Sequence, residues 1–215
     1  MKAEHLEFLV EEPSMEAFLL QLLPKIIGNQ ATYSVHVHQG KSDLLSKLGG
    51  RLRAYSKWIP QTWRIFVIVD RDDDDCRLLK RRLEHEANTA GFLTRTMSDR
   101  QHWQIVNRIA VEEMEAWFFA EWSGVRKAYP RVSAAVPSKA AFRASDAISG
   151  GTWEALERIF KAAGYFSSGL RKMECARAIG IHFDPTVSAS PSFVMLREAV
   201  LEAVTTVVPE GAAAP

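Results

Sequence analysis

Carboxylates gather at two points in this chain where an apolar run stops, and their spacing suggests metal-assisted chemistry. One run, Leu6-Glu7-Phe8-Leu9-Val10, ends in Glu11-Glu12-Pro13-Ser14-Met15-Glu16. The other, Ile65-Phe66-Val67-Ile68-Val69, ends in Asp70-Arg71-Asp72-Asp73-Asp74-Asp75. Short β-branched and aromatic runs bounded by turn residues read as buried strands. Open α/β sheets carry their chemistry just beyond the carboxyl ends of such strands. Glu11, Asp70 and Asp72 are therefore expected in one crevice. Crowded carboxylates raise one another's pKa and call for a cation, and an all-oxygen donor set suits Mg²⁺ or Mn²⁺ better than zinc. A solvated acidic turn is the plainer alternative.

Asp70 and Asp72 stand two apart in a strand or its exit, which puts both carboxylates on one side for paired ligation of a hard cation. Asp73, Asp74 and Asp75 read as solvated, or as caps of a helix starting near Cys76, with Asp74 kept as a secondary metal candidate. Glu112, Glu113 and Glu115 follow a fourth apolar run, and a parallel sheet would bring them to the same edge. Acids in a first helical turn also suit the helix dipole, an alternative open for Glu11 and equally for Glu112 and Glu113. His36 and His38 share a strand face at a spacing that can hold a transition metal; with no third ligand nearby, a structural or surface role is expected. Arg77, Lys80, Arg81 and Arg82, and the pair Arg171-Lys172, could meet phosphates, although charge runs are more often solvated helix faces.

The elements that must position these residues alternate. Strands are predicted over 5–11, 32–38, 64–69 and 104–111. Helices are predicted from Glu16 to Gly28, over 43–58 despite Gly49-Gly50, over 76–88, and around Glu115 and Trp117. That order implies a largely parallel, doubly wound sheet. After Ser123 three further helices are predicted, over 153–163, 169–179 and 192–204, and the Pro/Ser/Ala/Gly-rich stretch 129–151 is expected to loop outward. The division expected is an α/β core over 1–122, a helical extension packed on it over 123–208, and a flexible tail over 209–215.

The chain has 215 residues, 47% hydrophobic and 25% charged, and a net charge of +1, so any polyanion must be held by local basic patches. Its two cysteines, Cys76 and Cys175, form no CxxC, and both are expected to be reduced. No apolar run approaches the ~20 residues of a membrane span, and the N-terminus reads straight into a strand without a signal peptide. A cytoplasmic location with no membrane partner is the expectation.

The same residues carry a family resemblance. A hydrophobic strand ending in Glu11, a second acid at Glu16 in the following helix, and a later strand ending in Asp70-x-Asp72 resemble the Toprim domain of topoisomerases, primases and several nucleases. Ile109-Ala110-Val111-Glu112-Glu113-Met114-Glu115-Ala116-Trp117-Phe118 and Ser190-Pro191-Ser192-Phe193 are similar to signatures of the bacterial Toprim-like domain-of-unknown-function family 4276. Toprim proteins usually have Gly after the first Glu, where this chain has Glu12. The resemblance implies a Toprim-like, Rossmann-like fold with a mostly parallel sheet flanked by helices and a C-terminal helical extension. It also implies a Mg²⁺- or Mn²⁺-dependent nuclease acting on nucleic acid, an anti-phage defence effector working with an ATPase partner and compatible with homo-oligomerisation. Glu11 would be the general acid/base and a ligand, and Asp70, Asp72 and Glu115 the further ligands. Glu16, Asp74 and Glu12 would have weaker or outer roles, and Lys172 and Arg171 would meet phosphate. The alternative from another class is a non-catalytic Toprim module that assembles with an ATPase.

Overall fold

A computed structural model describes residues 2–98 and 102–205. Four strands, β1 (His5–Val10), β2 (Thr32–Val37), β3 (Trp63–Asp70) and β4 (Ile105–Ala110), form one sheet in the order β2-β1-β3-β4. Every strand pair is parallel. The strands follow the apolar runs because alternate side chains serve two cores. Leu6, Phe8, Val10, Phe66 and Ile68 enter one core, and Leu9, Ile65, Val67 and Val69 the other.

The second core is closed by α2 (Lys41–Tyr55) and α3 (Cys76–Thr89), whose Leu44, Leu48, Leu52, Leu79 and Leu83 keep the helical spacing seen in the sequence. The first core is larger. It gathers α1 (Pro13–Ile27), α4 (Glu115–Ala120), α5 (Trp122–Ala128), α6 (Thr152–Ala162), α7 (Lys172–His182) and α8 (Pro191–Val204). Residues of β1 and of α8 belong to the same apolar cluster, so the C-terminal helices and the sheet share one core. The stretch 129–151 does not loop outward: Val132, Val136 and Ile148 are buried in that core, and Trp122 Nε1 donates to the Ser133 carbonyl (2.9 Å). Its few apolar residues are spaced to anchor a coil, a pattern with no period to read. The 209–215 tail lies outside the described residues. Among the described residues no helix is long and apolar enough to cross a membrane.

Helix α7 is held lengthwise against α1, and this placement matters for the site. Lys25 Nζ, near the end of α1, donates to the Gly180, Ile181 and Phe183 carbonyls (2.7, 2.7 and 2.9 Å), satisfying acceptors left open at a helix C-terminus. Gly180 permits the approach, because a Cβ there would fall 2.9 Å from Gln21 Cβ. At the other end Lys172, the first residue of α7, reaches Glu12 beside the start of α1 (3.8 Å). The two helices therefore run the same way, and α7 delivers a lysine to the carboxyl edge of the sheet.

Candidate functional site

Register sets the site. Val10 pairs with Ile68 and with Val37, and Asp70 with Ala110, so the carboxyl ends of the strands share one edge. Glu11 is the first residue past β1, Asp70 the last of β3, and Glu115 opens α4 five residues past β4. All three are buried, at 6%, 4% and 2% exposure, deep enough for solvent to screen them poorly. Asp70 donates its backbone N–H to Glu11 Oε2 (3.2 Å), and its own Oδ1 accepts from Met114 N–H (3.0 Å). Glu115 Oε2 is buried and meets no hydrogen-bond donor.

These carboxylates are under-neutralised. Burial pushes the Glu11 carboxyl up to about 7, against the Asp70 N–H and helped by Asp72, while Lys41 pulls it down. Burial raises Glu115 to about 8, with Lys172 opposing and Glu113 and Glu12 adding repulsion. Asp70 is raised by burial and then by the charges of Glu11 and Glu115, which ties the three acids into one electrostatic unit.

Two lysines face the group. Lys172 is half-buried and held protonated by Glu115, Glu12, Glu113 and Asp70 despite the cost of burial. Its ammonium also lies 5.0 Å from the Trp153 ring centroid, a cation–π contact that fixes the side chain. Lys41 opens α2 directly after β2 and the Gly40 turn, and was not identified from the sequence. Its Nζ lies 2.7 Å from Asp72 Oδ2 and 2.9 Å from both Asp74 Oδ2 and the Arg71 carbonyl. The signal available was topological: like Glu11 and Asp70, it follows a parallel strand on the edge that carries chemistry.

The acids named from the sequence thus part company. Glu11, Asp70 and Glu115 come together. Asp72, half-exposed, and Asp74 are taken by Lys41 at the rim. Glu12 accepts from Ser14 Oγ and faces Lys172, whereas the Glu16 side chain makes no hydrogen bond or ion pair among the described residues. Arg171 points away, pairing with Glu174 and lying over Phe166. Glu112 pairs with Arg71. Glu113 is a cap from a distance, its Oε2 accepting from Thr152 N, Thr152 Oγ1 and Trp153 N (2.8, 2.7 and 3.0 Å) at the start of α6. His36 Nε2 binds Glu7 (2.6 Å), and His38 Nδ1 donates to the Val10 carbonyl (3.1 Å).

The backbone is unusual at the rim. Asp72 (φ 48°) and Glu112 (φ 24°) are non-glycine residues in left-handed conformations, and Asp72 N–H donates to the Glu112 carbonyl (2.9 Å). Such geometry costs energy and collects at functional sites.

The chemistry of the donor set fits a hard divalent cation: it is all oxygen, buried, and includes the unpartnered Glu115 Oε2. The fit is one of chemistry and not of a finished cage, because no three His, Cys, Asp or Glu among the described residues stand ready to hold an ion. Mg²⁺ ordinarily takes only one or two protein carboxylates and keeps several waters. The clefts of about 560 and 420 Å³ on this molecule lie elsewhere and include none of Glu11, Asp70 or Glu115. The carboxylates mark the site more strongly than the clefts do, since buried charge is the costlier feature to keep.

Comparison with family models matches residues 10–200 to a domain of unknown function, DUF4276. The chain belongs to the DUF4276 family. The match runs from the end of β1 through β2, β3 and β4 and all three buried carboxylates into α8. No curated protein and no solved structure matches the chain.

Proposed function

We propose that this DUF4276 protein is a metal-dependent phosphodiester hydrolase, a nuclease of Toprim type that serves as a defence effector beside an ATPase partner. One observation carries the reading: three buried carboxylates gather at or beyond the ends of three strands, Glu11 and Glu115 both repel Asp70, and Glu115 keeps an unpartnered oxygen. A scaffold gains nothing from that arrangement. A bound Mg²⁺ or Mn²⁺ would polarise the phosphodiester and activate a water. Asp70 and Glu115, with Glu11, are the residues that would hold it. Glu11, raised to about 7, can take or give a proton near neutral pH. Lys172, fixed by Trp153 at the rim, can pair with a substrate phosphate oxygen.

The absence of a ready three-ligand cage among the described residues favours one other reading, the non-catalytic Toprim module. The test is cleavage of plasmid, single-stranded DNA and tRNA in Mg²⁺ or Mn²⁺, with and without an ATPase encoded nearby. Cleavage is expected, and Glu11→Gln, which keeps size and loses the titrating proton, should reduce it by ~100- to 10,000-fold. No cleavage in any combination would make the protein an assembly module. Cleavage untouched by Glu11→Gln would move the proton chemistry to another residue.

A further inference from the structure

A second site lies beside β4, the edge strand of the sheet, whose start is bridged by Thr94. The order β2-β1-β3-β4 leaves β4 as an edge strand, and two clefts open beside it between α3 and α8. The first, about 350 Å³, is lined by Lys80, Arg95, Thr96, Ser98, Arg108 and Met195. The second, about 420 Å³, shares Lys80, Arg108 and Met195 with it and continues over Ile109, Val111 and Pro191. Shared walls make them one space with a polar end and an apolar end. Its size falls in the range of small-molecule sites. None of its walls is an acid of the strand-end crevice.

Arg108 is the residue that calls for a ligand. Its Nε and one Nη are buried and meet no acceptor among the described residues. Buried donors without partners are costly and uncommon. The neighbouring cations are different. Lys80 Nζ donates to the Asn107 carbonyl (2.6 Å) and Glu84 (2.9 Å), and Arg95 makes a two-toothed pair with Glu202 (Nη–Oε2 2.7 Å and Nε–Oε1 3.2 Å). Glu202 is thus committed, and Glu84 holds Lys80 and Asn107 through Oε1 while its Oε2 stays unpartnered. Neither of them nor the exposed Glu198 makes a hydrogen bond to Arg108 among the described residues, although all three soften the repulsion from Arg95. Arg108 lines both clefts with two guanidinium nitrogens left without an acceptor, a donor set suited to an oxyanion that reaches them as the side chain turns outward. The exposed Thr96 hydroxyl and the positive charges of Lys80 and Arg95 beside it favour a multiply charged oxyanion over a carboxylate.

We propose that this cleft binds a small phosphomonoester with an apolar or aromatic body, such as a nucleoside monophosphate, with Arg108 on the phosphate and Ile109, Val111, Pro191 and Met195 around the body. The site does not depend on the nuclease reading. Calorimetric titration of the full chain tests it, with AMP, adenosine and inorganic phosphate as probes. AMP is expected to bind one to one, with adenosine and phosphate each weaker by about tenfold or more. Arg108→Gln should weaken AMP by a similar factor. So should Met195→Trp, which fills the shared middle from an exposed helix position and decides the matter if Arg108→Gln does not fold. Asp70→Asn should leave AMP binding unchanged. The proposal is overturned if AMP does not bind at millimolar concentration, or if both cleft variants bind it like wild type. It also fails if phosphate alone binds as tightly as AMP, or if Asp70→Asn abolishes AMP binding, which would put the ligand in the acidic crevice.

Discussion

Asp70 and the run Asp72–Asp75 are neighbours in sequence and opposites in environment. Asp70 is buried with a single backbone donor on its carboxylate, and its carboxyl is raised by burial and by two other acids. Asp72 and Asp74 are half-exposed and neutralised by Lys41, and Asp75 caps α3 by accepting from Leu78 N–H (2.8 Å). The same contrast separates Glu115 from Glu113 two residues earlier: Glu113 is satisfied by three donors of α6, while Glu115 keeps an oxygen unpartnered. What marks the candidate site is burial without compensation, and the number of acids in a segment says little about it.

The sharpest way to break this comparison is activity. If buried, uncompensated acids do the chemistry, Glu11→Gln should lose at least ~100-fold in phosphodiester cleavage. Asp73→Asn, at an exposed position with no hydrogen bond or ion pair among the described residues, should cleave like wild type. Equal loss in both variants would erase the distinction. Metal affinity comes next. Titration of Mn²⁺ should show Asp70→Ala weaker by at least about tenfold and Asp73→Ala unchanged. Equal affinity in wild type and Asp70→Ala would remove the metal from the crevice.

Glu113 tests the other side. Glu113→Ala strands two backbone N–H groups and a hydroxyl at the start of α6. Leaving buried donors unsatisfied costs about 1–3 kcal/mol. A chain of this size loses about 2–4 °C of Tm per kcal/mol. A drop in Tm with Mn²⁺ affinity retained is expected. Lost affinity at unchanged Tm would turn Glu113 from a cap into a ligand.

The fold was legible because burial on both faces makes strands continuous apolar runs, and β3 extends the predicted 64–69 segment by one residue at each end. The site was legible in part. Glu11 and Asp70 sit at strand ends, where topology alone points. Asp72 was chosen by the two-residue period of a strand, but the strand stops at Asp70 and the left-handed turn at Asp72 sends its carboxylate to Lys41. Lys41 and Trp153 were not legible, since each reaches the site through a contact from a distant segment. Arg108 was hidden as well: one arginine in a strand says nothing about whether its donors find partners.

The pH dependence of stability separates the two kinds of acid by sign. In the unfolded chain the Glu11 and Glu115 carboxyls ionise near 4.5, whereas in the fold they hold their protons to about 7 and about 8, and Asp70 is raised as well. The folded state binds more protons across that window, so these groups should make stability fall as pH rises from about 4.5 to about 8. Asp70→Asn keeps the acceptor for Met114 and removes the charge. Its Tm should match wild type at acidic pH and exceed it at the alkaline end of the window, and saturating Mn²⁺ should lift wild type at that same end. A Tm difference independent of pH would mean that Asp70 ionises alike in the folded and unfolded chain, so that its surroundings do not raise its carboxyl.

The smallest effect belongs to Asp75, and its sign is reversed. Its carboxylate caps α3, and the Leu78 N–H, with little opposition from burial, holds its pKa below the usual aspartate value. A depressed carboxyl stabilises above the unfolded pKa and loses that contribution as pH falls through the folded one. Asp75→Ala should therefore lower Tm by about 2–4 °C at neutral pH, the usual scale of a lost cap in a chain this long. The difference from wild type should vanish under acid, where the wild-type cap is protonated too. Mn²⁺ should not change the difference, because Asp75 stands outside the crevice. If Mn²⁺ rescued Asp75→Ala, or if the difference grew toward acid, the boundary between compensated and uncompensated acids would have to be moved to include the whole Asp72–Asp75 run.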